Sequence, residues 1–326
     1  MNALVTVTTG SAVALTEPGI LANLAHHAEH ARGAFASNTE RALRADTAVF
    51  TAWCIGAGLP SLPAAAATVA RFVDAMGETK APATVRRYVS SISTFHRAAQ
   101  VPNPTETQEV KLALKRLHRT KGRAQVQAAP LNRALVDRMI AAAGGTLRDL
   151  RNRALLAVAY DTLCRRSEMA ALLRADLDIG ADGAGTVTIR RSKTDQDGRG
   201  MVRFLAPDTV RHVLAWIEAA QITDGALFRA VPKGGRIGDA LDGAEVARVF
   251  KGMARAAGLT VEEAARISGH SSRVGAAQDM VKVGIELPAV MQAGGWKTAE
   301  MVSRYTARLD ARRSGSAKLA IAQNRA

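Results

Sequence analysis

The sequence predicts a mainly α-helical protein of two domains, the second interrupted by a small antiparallel β-sheet. Apolar residues recur at helical spacing from Ser37 to about Thr120 and again from Leu131. Between these runs, the stretch TKGRAQVQAAP has no apolar period and ends at Pro130, so residues 121–130 read as a linker. Strict alternation is clearest near Val187 and Ile189. With 326 residues and 48% hydrophobic content, the chain can build two cores of ordinary size.

Residues 1–36 read as a flexible arm. The first 16 carry no charge, but they lack the basic start of a signal peptide and are broken by Thr, Ser and Gly. The first ordered helix is expected at Ser37, where Ser37 and Glu40 have capping-box spacing, and runs through Leu43, Phe50 and Trp53 to Gly56. After a proline-bounded loop at Pro60–Pro63, a second helix covers Ala66–Met76. A third, from about Pro82 to Ala99, puts Val85, Val89 and Ile92 on one face. Arg87, Ser90, Ser91, Thr94 and Arg97 fall on the other, and Thr84 and Arg86 extend the set of candidate DNA contacts. Small polar residues and arginines together let a helix lie deep in a major groove. A fourth helix, expected from Thr105 with capping-box spacing to Gln108, buries Val110, Leu114 and Leu117. Its opposite stripe, Lys111, Lys115, His118 and Arg119, largely lacks the acidic i+4 partners of an ordinary solvated face, which favours phosphate contact. The domain so defined spans residues 37–120.

The second domain, residues 131–326, opens with helices around Val136–Ile140 and Leu150–Leu163. The latter breaks into Cys164-Arg165-Arg166-Ser167-Glu168. If Arg165 points inward it must meet an anion, because an unpaired buried guanidinium is costly, and Glu168 is placed to brace it. A surface Arg/Glu pair is the competing reading. Thr186–Arg191 and Met201–Leu205 form the expected hairpin, with a turn at Asp197-Gly198 and Lys193 near its mouth. Helices at Pro207–Ala220 and Gly243–Ala257 follow, separated by a basic loop carrying Lys233 and Arg236. The stretch from Ser268 to Tyr305 then gathers His270, Arg273, Trp296 and Tyr305. Pro288 opens one of its helices and Gly294-Gly295 closes it. Met301, Tyr305 and Leu309 share a helical face, so Tyr305 taken alone reads equally as a core residue.

Charge narrows the partner. Lys and Arg outnumber Asp and Glu by 44 to 29, a net +15 that points to a polyanion. Aromatic residues make up only 4%, which disfavours base stacking and favours a protein that tracks duplex phosphates. Cys54 and Cys164 have neither metal-ligand nor disulfide spacing, which indicates a reducing, cytoplasmic setting. No run approaches the ~20 apolar residues of a membrane span.

Arg165, Lys193, His270-Ser-Ser-Arg273, Trp296 and Tyr305 follow in the order and spacing of the tyrosine site-specific recombinases, the phage integrase family, which the chain resembles from about residue 37 onward. The runs GHSSRVGAAQDM and MQAGGW, and Trp296 where many relatives have histidine, place the resemblance in one branch of that family. TAWC and FHR in the first domain add to it. The resemblance implies a two-domain, C-shaped DNA clamp with a helical core-binding domain and a mixed α/β catalytic domain. It implies that Tyr305 attacks the scissile phosphate to form a 3′-phosphotyrosyl link and that Arg165 and Arg273 hold the non-bridging oxygens. His270 then assists proton transfer, Lys193 protonates the leaving 5′-oxygen, Trp296 donates its indole N–H, and Glu168 orients the arginines. Neither metal nor cofactor is implied. The implied partner is double-stranded DNA bearing a specific site. The chain would be a monomer when free and a homotetramer in synapsis, held by a C-terminal helix at about 314–324 that includes Ala317, Leu319, Ala320 and Ile321. Such enzymes are cytoplasmic, encoded by bacteria, phages or plasmids. Ala244 stands where this branch places a base-reading arginine, so a different target site is expected.

Two alternatives share features with this reading. A type IB topoisomerase has much of the same catalytic set but no need of an oligomerising C-terminal helix. A non-enzymatic DNA-binding regulator explains the basic helices but has no use for Tyr305, Lys193 and paired arginines together.

Overall fold

The computed structural model describes residues 17–123, 127–191, 200–232, 234–312 and 314–325. The chain divides into two compact units, residues 1–126 and 127–326.

The first unit is helical: α1 (Glu17–His30), α2 (Ser37–Gly56), α3 (Ala66–Thr79), α4 (Pro82–Ala98) and α5 (Gln108–Lys121), with a short 3-10 turn at Pro104–Glu106. Phe50, Cys54, Phe72, Val85, Ile92 and Val110 form its core. Phe72 meets the Phe50 and Trp53 rings edge-on, with centroids 5.0 and 5.4 Å apart. Helix α1 corrects the expectation that order begins at Ser37. It buries Ile20 against Ala99 and Val101, and Asn23 donates to the Ala99 carbonyl at 3.1 Å. The stripe of Ile20 and Leu24 is too short to announce a helix, because packing rather than propensity stabilises it. Neither expected capping box forms. Ala36 occupies the N-cap of α2 with no side-chain bond. Thr105 is absorbed into the 3-10 turn, where its N–H and hydroxyl both donate to Asn103 Oδ1.

Two polar anchors fasten this unit. Asp46 of α2 is 1% exposed and accepts from Arg87 Nε and Nη2 at 3.0 and 2.8 Å and from Ser91 Oγ at 2.9 Å. Ser91 therefore leaves the outward face assigned to it, and Arg87 is partly committed to its own fold. His96 is fully buried: its Nε2 accepts from the Ala64 N–H and its Nδ1 lies 2.9 Å from the Ile92 carbonyl. Only a neutral ring with its proton on Nδ1 satisfies both.

The second unit contains α6 (Arg133–Ala141), α7 (Leu147–Thr162), α8 (Arg166–Ala171), β1 (Leu177–Ile179), β2 (Gly185–Ile189), β3 (Met201–Leu205), α9 (Pro207–Ala219), α10 (Gly243–Ala256), α11 (Val261–Ala265), α12 (Ser271–Lys282), α13 (Leu287–Gly294), α14 (Ala299–Arg312) and α15 (Gly315–Ala322). The sheet is antiparallel in the order β1-β2-β3, with Val187 opposite Arg203 and Ile189 opposite Met201. Strand β1 went unread because three residues carry no alternation to detect. The expected turn at Asp197-Gly198 lies outside the described residues. Helix α7 is the axis of the unit: Leu155, Leu156 and Val158 are fully buried among Met139, Val213, Trp216 and Phe250.

Part of the expected linker belongs to this unit. The Ala129 N–H donates to the Arg266 carbonyl and the Leu131 N–H to the Ser271 carbonyl, both at 3.0 Å. The close approach depends on Gly275 of α12, where a Cβ would sit 1.8 Å from the Leu131 carbonyl oxygen. At the other end, α15 buries none of its residues, leaving Leu319 and Ile321 53% and 65% exposed. Among the described residues, no helix is long and apolar enough to cross a membrane.

Burial lowers the His96 pKa below its ordinary value. Below about pH 6.5 the unfolded chain therefore binds a proton that the native ring refuses, and stability falls as pH drops toward the native pKa. Protection of the α4 amides, measured relative to their intrinsic exchange rate at each pH, should fall between pH 7.5 and 5.5. His96→Gln, which offers a non-titrating acceptor to Ala64, should lessen that dependence.

Candidate active site

The site is assembled around the start of α12. His270 occupies the N-cap of this helix, its N–H donating to Ser268 Oγ at 3.1 Å, and every residue from Ser271 to Ala277 is buried. That burial carries Arg273 inward, to 2% exposure. Its guanidinium donates through Nη1 to the Leu163 carbonyl and through Nη2 to the Gly294 carbonyl at 2.9 Å. Leu163 caps α7 in the left-handed region (φ 52°, ψ 25°), a conformation rare for a non-glycine residue. Arg273 also lies over the Trp296 ring, 4.9 Å from its centroid.

Trp296 follows the glycine pair that ends α13. Gly295 is left-handed (φ 60°), and the Trp296 N–H returns to the Met291 carbonyl at 2.9 Å. The indole is 5% exposed and packs in a small core with Leu163, Ala276, Ala277, Val290 and Val302. A Cβ on Gly294 would fall 2.1 Å from the ring, so only glycine permits this packing.

Tyr305 projects from α14, whose backbone is tied to α12 by Gln278 Nε2 donating to the Tyr305 carbonyl at 2.9 Å. Its hydroxyl lies 2.7 Å from His270 Nε2. The Tyr305 ring centroid is 5.4 Å from that of His270 and 5.5 Å from that of Trp296. Arg165, at the N-cap of α8, is braced by Glu168: Nη1 donates to Oε1 at 2.7 Å and the backbone N–H to Oε2 at 2.8 Å. The Arg165 side chain is 19% exposed, so Glu168 holds it at the edge of the site.

Electrostatics set the resting state. Burial, then the charges of Arg273 and Arg165, push the His270 pKa down to about 4, so the ring is neutral near pH 7 and can accept a proton. Burial first, then Arg165, pushes Arg273 down to about 10, which leaves it charged. Among the described residues, Arg273 Nε and Trp296 Nε1 are buried donors with no acceptor. Such groups are costly in a finished core, and both are able to donate to an incoming anion.

Of the seven residues expected in the catalytic set, the structure brings Arg165, Glu168, His270, Arg273, Trp296 and Tyr305 to one site. Lys193 lies outside the described residues. Among the expected DNA contacts, Arg86, Arg87, Ser90, Arg97, Lys111, Lys115, Arg119 and Arg236 are exposed, and Thr84 is half-buried. Lys233 lies outside the described residues. Arg97 is drawn to Glu106 at 2.6 Å, an exposed pair of little weight, whereas Lys111, Lys115 and Arg119 have no ion-pair partner among the described residues. The sequence reading missed the Leu163 and Gly294 carbonyls, which no side-chain pattern reports. It also missed Arg203, a buried cation whose spacing from Leu205 on a strand was a readable signal.

The family model for the phage integrase family matches residues 129–312. The chain is 28% identical over 307 residues to the recombinase Cre of Escherichia phage P1, covering 88% of this chain and 89% of that protein. It is 29% identical over 284 residues to an integrase/recombinase XerD homolog of Selenomonas ruminantium, covering 83% and 81% respectively. Among solved structures, a lambda integrase tetramer bound to a Holliday junction aligns with a TM-score of 0.59 at 16% identity, covering 90% of this chain and 78% of that one.

Gly294→Ala should expel the indole from beneath Arg273. The protein should still fold, since α7 and its surrounding core are untouched. Trp296 should become accessible to acrylamide quenching, which a variant keeping tryptophan only at position 296 would read directly.

Proposed function

The chain belongs to the phage integrase family and is a tyrosine recombinase, an enzyme that cleaves and rejoins DNA; from that premise we propose that it acts at a specific duplex site in a Cre-like manner, with Tyr305 as its nucleophile. The observation that carries this reading is the 2.7 Å contact between Tyr305 Oη and a neutral His270, beside the buried, unpartnered N–H groups of Arg273 and Trp296. A phenol has a pKa near ~10 and needs a base and a positive field to attack. The arrangement supplies both.

In this reading the scissile phosphate enters against Arg165 and Arg273, and its charge offsets the field that depresses the His270 pKa. Tyr305 Oη forms a bond to phosphorus as its proton passes to His270 Nε2. The bond from phosphorus to the 5′-oxygen breaks, and that oxygen takes a proton from Lys193 to leave as a hydroxyl. Arg165 and Arg273 stabilise charge on the non-bridging oxygens, for which guanidinium forks are well suited. Trp296 donates its indole N–H to the same group, and Glu168 keeps Arg165 aimed. Attack by a 5′-hydroxyl from a partner strand reverses these steps. The transferred bond energy stays in the phosphotyrosine throughout.

The basic residues of the first unit, with Lys111, Lys115 and Arg119 as its unpaired stripe, serve as phosphate contacts in this scheme. The lambda integrase tetramer on a Holliday junction supports a tetrameric synapse. Helix α15, with no core of its own, is suited to bind a neighbouring copy within it. Ala244, on α10 where an arginine would read a base, supports a target site different from that of Cre.

The test begins by sequencing DNA recovered with the protein to locate the site. A nicked duplex of that site should then yield a denaturation-resistant covalent adduct with the wild-type chain and none with Tyr305→Phe. His270→Gln should slow adduct formation about 10²–10⁴-fold, the range for loss of a general base. Tight binding without an adduct from the wild-type protein would sink the assignment of Tyr305.

A further inference from the structure

Arg203 stands on the inward face of β3, 6% exposed, where alternation calls for an apolar residue. Its strand neighbour Leu205 and the β2 residues Val187 and Ile189 are all buried apolar side chains. Among the described residues, no carboxylate hydrogen-bonds the guanidinium. Nη1 donates to the Gln292 carbonyl at 2.5 Å, and Nη2 lies 3.4 Å from Met201 Sδ. A buried arginine without an acid partner contributes less to stability than a well-packed hydrophobe in the same place. Its retention calls for another account.

The account lies in what Gln292 belongs to. Its carbonyl is one of the last of α13, where the helix dipole favours a cation, and it also accepts the Gly295 N–H at 3.2 Å. Two residues on, the Gly294 carbonyl holds Arg273, and the Gly294 Cα abuts the Trp296 ring. A Cβ on Gly295 would lie 2.8 Å from Arg203 Nη2, so the guanidinium is seated directly against the glycine turn. Arg203 thus joins β3 to the turn that presents Trp296 and one of the two carbonyls gripping Arg273.

We propose that Arg203 is a positioning residue for strand cleavage: it fixes the α13 C-terminal turn, and through it the places of Trp296 and Arg273. The inference deepens the reading of the site given above. It requires that the geometry of the turn, rather than overall stability, suffer when Arg203 is changed.

The chain has three tryptophans, Trp53, Trp216 and Trp296, so labelling with 5-fluorotryptophan gives three fluorine resonances. Trp296→Phe identifies one of them. Trp216, fully buried with Nε1 donating to the Leu227 carbonyl at 2.8 Å, reports the core of the same unit. In Arg203→Met the Trp296 resonance should move while that of Trp216 stays. Arg203→Lys, which keeps one donor for Gln292 but loses the fork, should shift it less. Single-turnover adduct formation on the nicked duplex, at saturating DNA, should fall at least about tenfold in Arg203→Met and less in Arg203→Lys, with DNA affinity changed by no more than about twofold. An unmoved Trp296 resonance, or an unchanged cleavage rate, overturns the proposal. If loss of the Trp216 resonance shows that Arg203→Met does not fold, Arg203→Lys decides: a Trp296 line in its wild-type position refutes the role. The resonance measurements need no DNA. A wild-type protein that forms no adduct, alongside a moved Trp296 line in the variants, would therefore count against the role of Tyr305 and not against the Arg203 contact.

Discussion

The site depends on the burial of one guanidinium. Arg273 enters the protein on a helix turn whose neighbours are all buried, and among the described residues no carboxylate hydrogen-bonds it; two main-chain carbonyls, Leu163 and Gly294, take one hydrogen bond each from its terminal nitrogens. Carbonyl dipoles orient the group without cancelling its charge. A carboxylate in the same place would have neutralised the field and competed with a phosphate for the same donors. The left-handed backbone at Leu163 and the glycine pair after α13 are the local distortions that aim those carbonyls.

That charge and the burial around it act together on the neighbouring groups. Burial first, then the charges of Arg273 and Arg165, keep His270 unprotonated near pH 7, with Nε2 2.7 Å from the Tyr305 hydroxyl. The charge also explains the different treatment of the two arginines. Arg165, at the rim, has an acid brace in Glu168, whereas Arg273, at the centre, has no ion-pair partner among the described residues. The same economy of acidic partners recurs at Arg203, which, among the described residues, meets the end of α13 instead of a carboxylate. In the first unit the logic is reversed. Asp46 takes hydrogen bonds from Arg87 and Ser91 to join α2 to α4, and charge there serves the fold.

Where reading of the sequence succeeded, periodicity was long or residue identity was chemically specific. Helices such as α4, α9 and α10 have strong apolar stripes, and their limits fall within a residue of those expected. It failed where short elements take their stability from contacts. Helix α1 has only a two-residue stripe, β1 has three residues, and Ser37 and Thr105 carry the letters of a cap without its geometry. The face of α4 was read correctly for Ser90 but not for Ser91, because the buried partner Asp46 lies more than forty positions away in sequence.

By itself the sequence determined the helical character of both units, their basic charge and the family to which the chain belongs, since side-chain type and local periodicity are written in order along the chain. Only tertiary structure decided which side chains of the candidate site meet. The Tyr305 hydroxyl meets His270 across 35 positions, and Arg273 meets the Leu163 carbonyl across 110. Main-chain carbonyls, burial and the resulting shift of a histidine pKa have no letter of their own. They arise when α7, α12, α13 and α14 pack together, because only in the packed state is water removed from around the charges.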